Sequence, residues 1–153
     1  MSSAQGSGIK RKNEARKPGC GSLTPMETVI LIVDDFQIMR KTVKHQLRSM
    51  GYSSFLEAVD GRLALETLRG NRVDLVIADW NMPNMSGLDF LREARNDEKT
   101  KNIPFIMLTA EATEDAVIKA LQAGANDYIV KPFTHETLIR KVRNVLARAA
   151  GKK

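Results

Sequence analysis

Four short apolar runs in this chain each hand over to a residue able to do chemistry. Ile30-Leu31-Ile32-Val33 leads into Asp34-Asp35, Val73-Asp74-Leu75-Val76-Ile77-Ala78 into Asp79, and Phe105-Ile106-Met107-Leu108 into Thr109. The fourth, Tyr128-Ile129-Val130, delivers Lys131 and then Pro132. Apolar runs of this length, separated by stretches of helical periodicity, read as strands of a parallel sheet buried on both faces. Ligands of open parallel sheets bind outside the carboxyl ends of the strands. Three carboxylates, a hydroxyl and an ammonium are therefore expected together at one sheet edge. That set of groups suits a magnesium-dependent phosphoryl site, because Mg²⁺ is a hard cation that takes a few carboxylates and keeps several waters.

Between the strands the pattern alternates regularly. Strand one is expected at about residues 28–33, and helix one follows from Phe36, with Ile38, Val43 and Leu47 at helical spacing, stopping at Gly51. A short second strand lies near Ser54–Ala58, and helix two carries Leu63, Ala64, Leu65 and Leu68 up to Gly70. Strand three, at 73–78, is followed by the loop Trp80-Asn81-Met82-Pro83-Asn84-Met85. Ser86, with Asp89 three residues on, has the spacing of a capping box opening helix three. Asn102-Ile103-Pro104 punctuates the chain before strand four. Thr113 caps helix four, whose first turn holds Glu114 and Asp115 where acids suit the positive end of a helix, and Gly124 closes it. Strand five is expected at 127–130 and helix five from about Thr134 to Ala149.

Five strand–helix alternations with short connections imply right-handed crossovers and helices on both faces. The expected fold is an α/β, three-layer, doubly wound (βα)5 sandwich around a parallel five-stranded sheet. Pattern alone does not fix the strand order. The flavodoxin-like order 2-1-3-4-5 is favoured because the acids ending strands one and three then flank a switch point.

With 42% hydrophobic residues in 153, the chain can bury a respectable core. No run approaches the roughly 18 apolar residues of a membrane span, and no apolar leader is visible. The single Cys20 excludes an internal disulfide and suggests a reduced, cytoplasmic setting. The charge of +6 is uneven: Lys10, Arg11, Lys12, Arg16 and Lys17 against Glu14 leave +4 within residues 1–25 and +2 beyond. That Gly/Ser-rich basic stretch lacks periodicity and reads as a disordered extension, with Met26 as an alternative start and residues 26–153 as the folded domain. A nucleic-acid surface would need a patterned patch on a folded face, so neither nucleic acid nor membrane is expected as a partner.

Asp34-Asp35, Asp79, Thr109-Ala110 and Lys131-Pro132-Phe133, in order at successive strand ends, resemble the receiver domain of two-component response regulators. The resemblance covers about residues 28–149. The fuller strings Asp79-Trp80-Asn81-Met82-Pro83-Asn84-Met85, Thr109-Ala110-Glu111-Ala112 and Lys131-Pro132-Phe133-Thr134 most resemble the single-domain chemotaxis members of that family.

The resemblance implies a function and a residue for each part of it. Asp79 is the phosphoacceptor, fed by a histidine kinase. Asp35, Asp79 and the backbone carbonyl of Asn81 bind Mg²⁺ directly, and Asp34 binds it through water. Lys131 and Thr109 stabilise the phosphoryl oxygens, and the peptide before Pro132 is cis. Thr109 and Tyr128 form the switch, with helix four, strand five and helix five as the output face. Asn81 and Glu111 tune dephosphorylation, with a phosphatase as an additional partner. A monomer is expected, and its output is expected to bind a target such as the flagellar motor switch. His45 and His135 have no role in this, and His45 reads as a solvated helix residue.

The chain departs from the pattern in two places. Ser86 stands where chemotaxis relatives carry Asp, one helix cap replacing another. Thr113-Glu114-Asp115 stands where motor-binding relatives carry lysines, which reverses the local charge of the output face. A receiver in a non-motor phosphorelay, or a phosphate sink, is the alternative this raises. A phosphohydrolase of haloacid-dehalogenase type would need Asp-x-Asp after strand one, where this chain has Asp34-Asp35-Phe36. An FMN-binding flavodoxin would need a hydroxyl-rich phosphate loop at the same place.

Overall fold

The computed structural model describes residues 24–110 and 113–151. The basic segment expected at residues 1–25 falls, apart from Thr24 and Pro25, outside these residues, as does Glu111. Thr24 and Pro25 belong to a short 3-10 turn, Pro25–Glu27, in which Thr24 accepts from the Glu27 N–H and Glu27 Oε1 accepts from the Thr24 N–H.

The strands are β1 (Val29–Val33), β2 (Ser54–Ala58), β3 (Leu75–Asp79), β4 (Phe105–Thr109) and β5 (Asp127–Val130). The helices are α1 (Gln37–Arg48), α2 (Gly61–Gly70), α3 (Gly87–Arg95), α4 (Glu114–Gln122) and α5 (His135–Gly151). All strand pairings are parallel, and the sheet order is β2-β1-β3-β4-β5, as anticipated. The expected caps form: Ser86 accepts from the Asp89 N–H at 3.1 Å, and Thr113 accepts from the Ala116 N–H at 3.2 Å. Gly51 and Gly124, with φ of 96° and 110°, close α1 and α4 in a backbone conformation that disfavours a Cβ.

One boundary moved. β3 begins at Leu75 rather than at residue 73, because Asp74 is occupied at the sheet's lower edge. Its N–H donates to the Val29 carbonyl at 2.8 Å, and its carboxylate accepts from the Val29 N–H at 2.8 Å. Asp79 in turn belongs to the strand rather than to the loop after it.

The alternation of side chains along each strand divides the core in two. Leu31, Val33, Val76, Ala78, Phe105 and Met107 pack with α2, α3 and α4. Ile30, Ile32, Leu75, Ile77, Ile106, Leu108 and Ile129 pack with α1 and α5. Both sheet faces are therefore covered, which is why β1, β3 and β4 are apolar at nearly every position and buried throughout. Among the described residues, no helix is long and apolar enough to cross a membrane.

Candidate functional site

The same alternation assembles the site. Val33 pairs with Ala78 in register, so the next residues, Asp34 and Asp79, stand side by side on the α1/α5 side of the sheet. Lys131, two residues after Ile129, keeps that side and extends back over the sheet's edge. Its ammonium donates to Asp79 Oδ1 at 2.9 Å and to Asp34 Oδ2 at 3.4 Å. The Lys131–Pro132 peptide is cis, and the Lys131 N–H donates to the Thr109 carbonyl at 2.7 Å, joining the ends of β4 and β5.

Asp34 and Asp35, adjacent in sequence, have opposite environments. Asp34 is wholly buried. Its Oδ1 accepts from the Phe36 N–H at 2.9 Å, and its carbonyl accepts from the Arg40 guanidinium at 2.6 Å. Asp35 is exposed. Oxygens of Asp34, Asp35 and Asp79 nevertheless lie within 4.8 Å of one another.

Burial pushes the Asp79 carboxyl above its ordinary value of 3.8, and the Asp34 charge pushes the same way, outweighing the Lys131 hydrogen bond. Burial pulls the Lys131 ammonium down, but its contacts with Asp79 and Asp34 outweigh this and leave it raised above 10.5. Three carboxylates whose oxygens converge within 4.8 Å fit a hard divalent cation with a few oxygen ligands.

The cluster makes a prediction about stability. In metal-free urea melts Asp35→Ala should leave the protein equally or more stable, since it removes one of several like charges. Marked destabilisation would show that Asp35 serves the fold instead.

Other residues singled out in the sequence lie around this centre. Asn81 is exposed in the loop between β3 and α3. Thr109 is 3% exposed at the end of β4. Tyr128 pairs with Met107 in register, is half-buried against the α2/α3/α4 side of the core, and has the Lys141 ammonium 4.7 Å from its ring centroid. Lys141 is itself paired with Asp127 at 2.9 Å. His45 is exposed on α1, as anticipated.

Two features near the site went unread in the sequence. Gly87 carries no Cβ because one would lie 2.1 Å from the Asp79 carbonyl oxygen. Asp60, before α2, bonds across to Asn84 at 2.7 Å. The Pro83-Asn84 pair was the available signal for the second, since Asn after Pro favours a turn with left-handed backbone, and Asn84 has φ 67°.

Known proteins match this arrangement. The response regulator receiver domain family matches residues 30–143. The chemotaxis protein CheY of Pseudomonas aeruginosa is 48% identical over 122 residues, covering 80% of this chain and 98% of its own. The chemotaxis protein CheY-3 of Vibrio cholerae is 50% identical over 119 residues, covering 78% and 92%. The receiver domain of a sensor histidine kinase from P. aeruginosa, solved with a magnesium ion coordinated in its active-site cleft, superposes with a TM-score of 0.71. It is 33% identical and covers 78% of this chain and 97% of its own. With its sheet order, its acid cluster and relatives at this level of identity, the chain belongs to the response regulator receiver domain family.

Proposed function

We propose that this protein is a receiver that accepts a phosphoryl group on Asp79 from the phosphohistidine of a kinase and signals through the face formed by α4, β5 and α5. The observation that carries this reading is the convergence of Asp34, Asp35 and Asp79 oxygens within 4.8 Å, with the Lys131 ammonium 2.9 Å from Asp79 Oδ1.

In the transfer a carboxylate oxygen of Asp79 forms a bond to phosphorus. The phosphorus–nitrogen bond breaks, and its electron pair stays on the departing imidazole. Carboxylate and phosphoryl group repel each other, so cations must stand ready before they meet. Lys131 supplies one, already held at Asp79 and able to shift to a phosphoryl oxygen, and the Thr109 hydroxyl donates to another. Asp34, Asp35, Asp79 and the Asn81 carbonyl would hold Mg²⁺, which would supply the remaining charge neutralisation. Hydrolysis reverses the modification: water attacks phosphorus, inorganic phosphate leaves and the Asp79 carboxylate returns. Asn81 and, as the resemblance implies, Glu111 set the lifetime. The protein turns over no other substrate.

Thr109 moving toward the phosphoryl group vacates space that Tyr128 fills, which biases the output face. The names of the relatives support a place in chemotaxis. The proposal adds a histidine kinase and an output protein as partners, a phosphatase as an additional one, a monomeric form and a cytoplasmic location. The flagellar motor switch is the output this favours. The exposed acids Glu114 and Asp115 at the start of α4 favour the second reading, a non-motor target or a phosphate sink.

Trp80, next to Asp79 and packed against the core, is a built-in reporter. Titration with Mg²⁺ and then beryllofluoride should change its fluorescence in the wild type, with the change lost in Asp79→Asn. A wild-type protein silent to both additions would refute phosphoryl chemistry at this site.

A further inference from the structure

The loop that carries Asn81 is held at both ends. At its base the Trp80 N–H donates to the Leu108 carbonyl at 3.0 Å, and the Gly87 N–H donates to the Trp80 carbonyl at 2.8 Å. At its tip it is clasped by the connection between β2 and α2. Asp60 is 5% exposed, and its two carboxylate oxygens have different partners. Oδ1 accepts from the Leu63 N–H at 2.8 Å and caps α2, while Oδ2 accepts from the Asn84 side-chain amide at 2.7 Å. One residue on, the Gly61 N–H donates to the Met85 carbonyl at 3.1 Å. The two loops approach so closely that a Cβ at Gly61 would lie 2.6 Å from that carbonyl oxygen.

Asn84 adopts φ 67°, a backbone conformation that costs an L-residue and that its bond to Asp60 offsets. The cap on α2 does not require Asn84. The second oxygen therefore has a separate role, fixing a loop whose other end is the proposed phosphoacceptor.

We propose that Asp60 and Asn84 are positioning residues of the phosphoryl site, clasping the 80–86 loop so that Asn81 is held where a cation and an attacking water need it. This rests on the reading of Asp79 and Asn81 given above. It follows that the clasp, far along the chain from Asp34 and Lys131, sets both the affinity for Mg²⁺ and the lifetime of the acyl phosphate.

Two variants break the clasp from opposite sides. Asn84→Gly removes the amide and leaves the left-handed backbone accessible. Asp60→Ser keeps a good helix cap whose side chain is too short to reach Asn84. For each, and for the double variant, Mg²⁺ affinity is read from Trp80 fluorescence, acyl-phosphate lifetime after acetyl phosphate is withdrawn, and fold stability from the urea midpoint. Each single variant should weaken Mg²⁺ binding about 10-fold, at the lower end of what loss of a group orienting metal ligands costs, and shift the lifetime by a similar factor. The double variant should do no more than either single one, because both remove the same contact. The urea midpoint separates this from general loosening, since a merely structural clasp would move the midpoint and leave affinity and lifetime alone. Affinity and lifetime within twofold of wild type in both single variants, or effects that add in the double one, would overturn the clasp while the phosphoryl site stands. A wild type that responds to neither Mg²⁺ nor acetyl phosphate would overturn the phosphoryl reading, and the clasp's role with it.

Discussion

Lys131→Met should destabilise the metal-free protein by about 2–3 kcal/mol at neutral pH, somewhat below the cost of breaking a fully buried pair. The discount reflects an ammonium 18% exposed beside carboxylates that are 0% and 8% exposed. The loss should depend on pH in a set direction. Burial first, and the Asp34 charge besides, already hold the folded Asp79 carboxyl above 3.8, and removing Lys131 raises it further. A carboxylate whose folded pKa exceeds its unfolded one costs stability when ionised, and that cost fades as pH falls through the folded pKa. The gap between variant and wild type should therefore narrow on acidification. In the wild type, stabilisation through Lys131 is present at neutral pH and is lost as pH rises through the folded ammonium's pKa, above 10.5. Mg²⁺ should restore stability to the variant, since a ligand of the folded state alone stabilises it by mass action. Urea melts at two pH values, with and without Mg²⁺, test all of this. A loss independent of both would mean that Lys131 contributes packing rather than charge.

Gly87→Ala should be the most damaging added methyl among the glycines compared, Gly51, Gly61, Gly70, Gly87 and Gly124. The added Cβ would lie 2.1 Å from the Asp79 carbonyl oxygen and 3.0 Å from Met107 Cε. The methionine can rotate away; the carbonyl belongs to the strand that presents the proposed nucleophile. Overpacking against backbone costs about 3 kcal/mol or more. Because α3 and the end of β3 must separate, Asp79 must shift too, and the Trp80 response to Mg²⁺ should be lost along with stability. Gly70→Ala is the control. A Cβ at Gly70, the last residue of α2, meets nothing within 4 Å, so stability should be unchanged or rise by up to about 1 kcal/mol. Equal behaviour of the two variants in thermal and urea melts would refute the close approach at Gly87.

Gly87 also shows where reading the chain stops. Next to Ser86 it is an ordinary residue at the start of a helix, and nothing local distinguishes it from Gly70. The difference is made by a strand that α3 crosses at its first turn. Asp60 is a similar case. Its cap on α2 is a local matter, whereas its second oxygen meets Asn84, 24 residues later, in a loop of another βα unit.

Asp34 and Asp35 lie between these extremes. The pair was evident as the terminus of an apolar run, but their division of labour was not: Asp34 is wholly buried beside Asp79, Asp35 in the bend after β1 is exposed, and their carboxylates still converge with that of Asp79. Tyr128 is a harder case, since half-burial beside Lys141 suits both a strand aromatic and a switch residue.

The chain's own residues determined the alternation of five strands and five helices, the two glycine stops with positive φ, and the delivery of Asp34, Asp35, Asp79, Thr109 and Lys131 to one edge. These follow from periodicity, capping and the rule that parallel strands present their carboxyl ends together, all of which act over a few residues. Tertiary structure alone decided that Lys131 closes on Asp79 and Asp34 across 52 and 97 residues, that burial pushes the Asp79 carboxyl up, and that a second loop clasps the one carrying Asn81. Distances, burial and charge balance between segments far apart in the chain exist only once the sheet is assembled, so no local pattern records them.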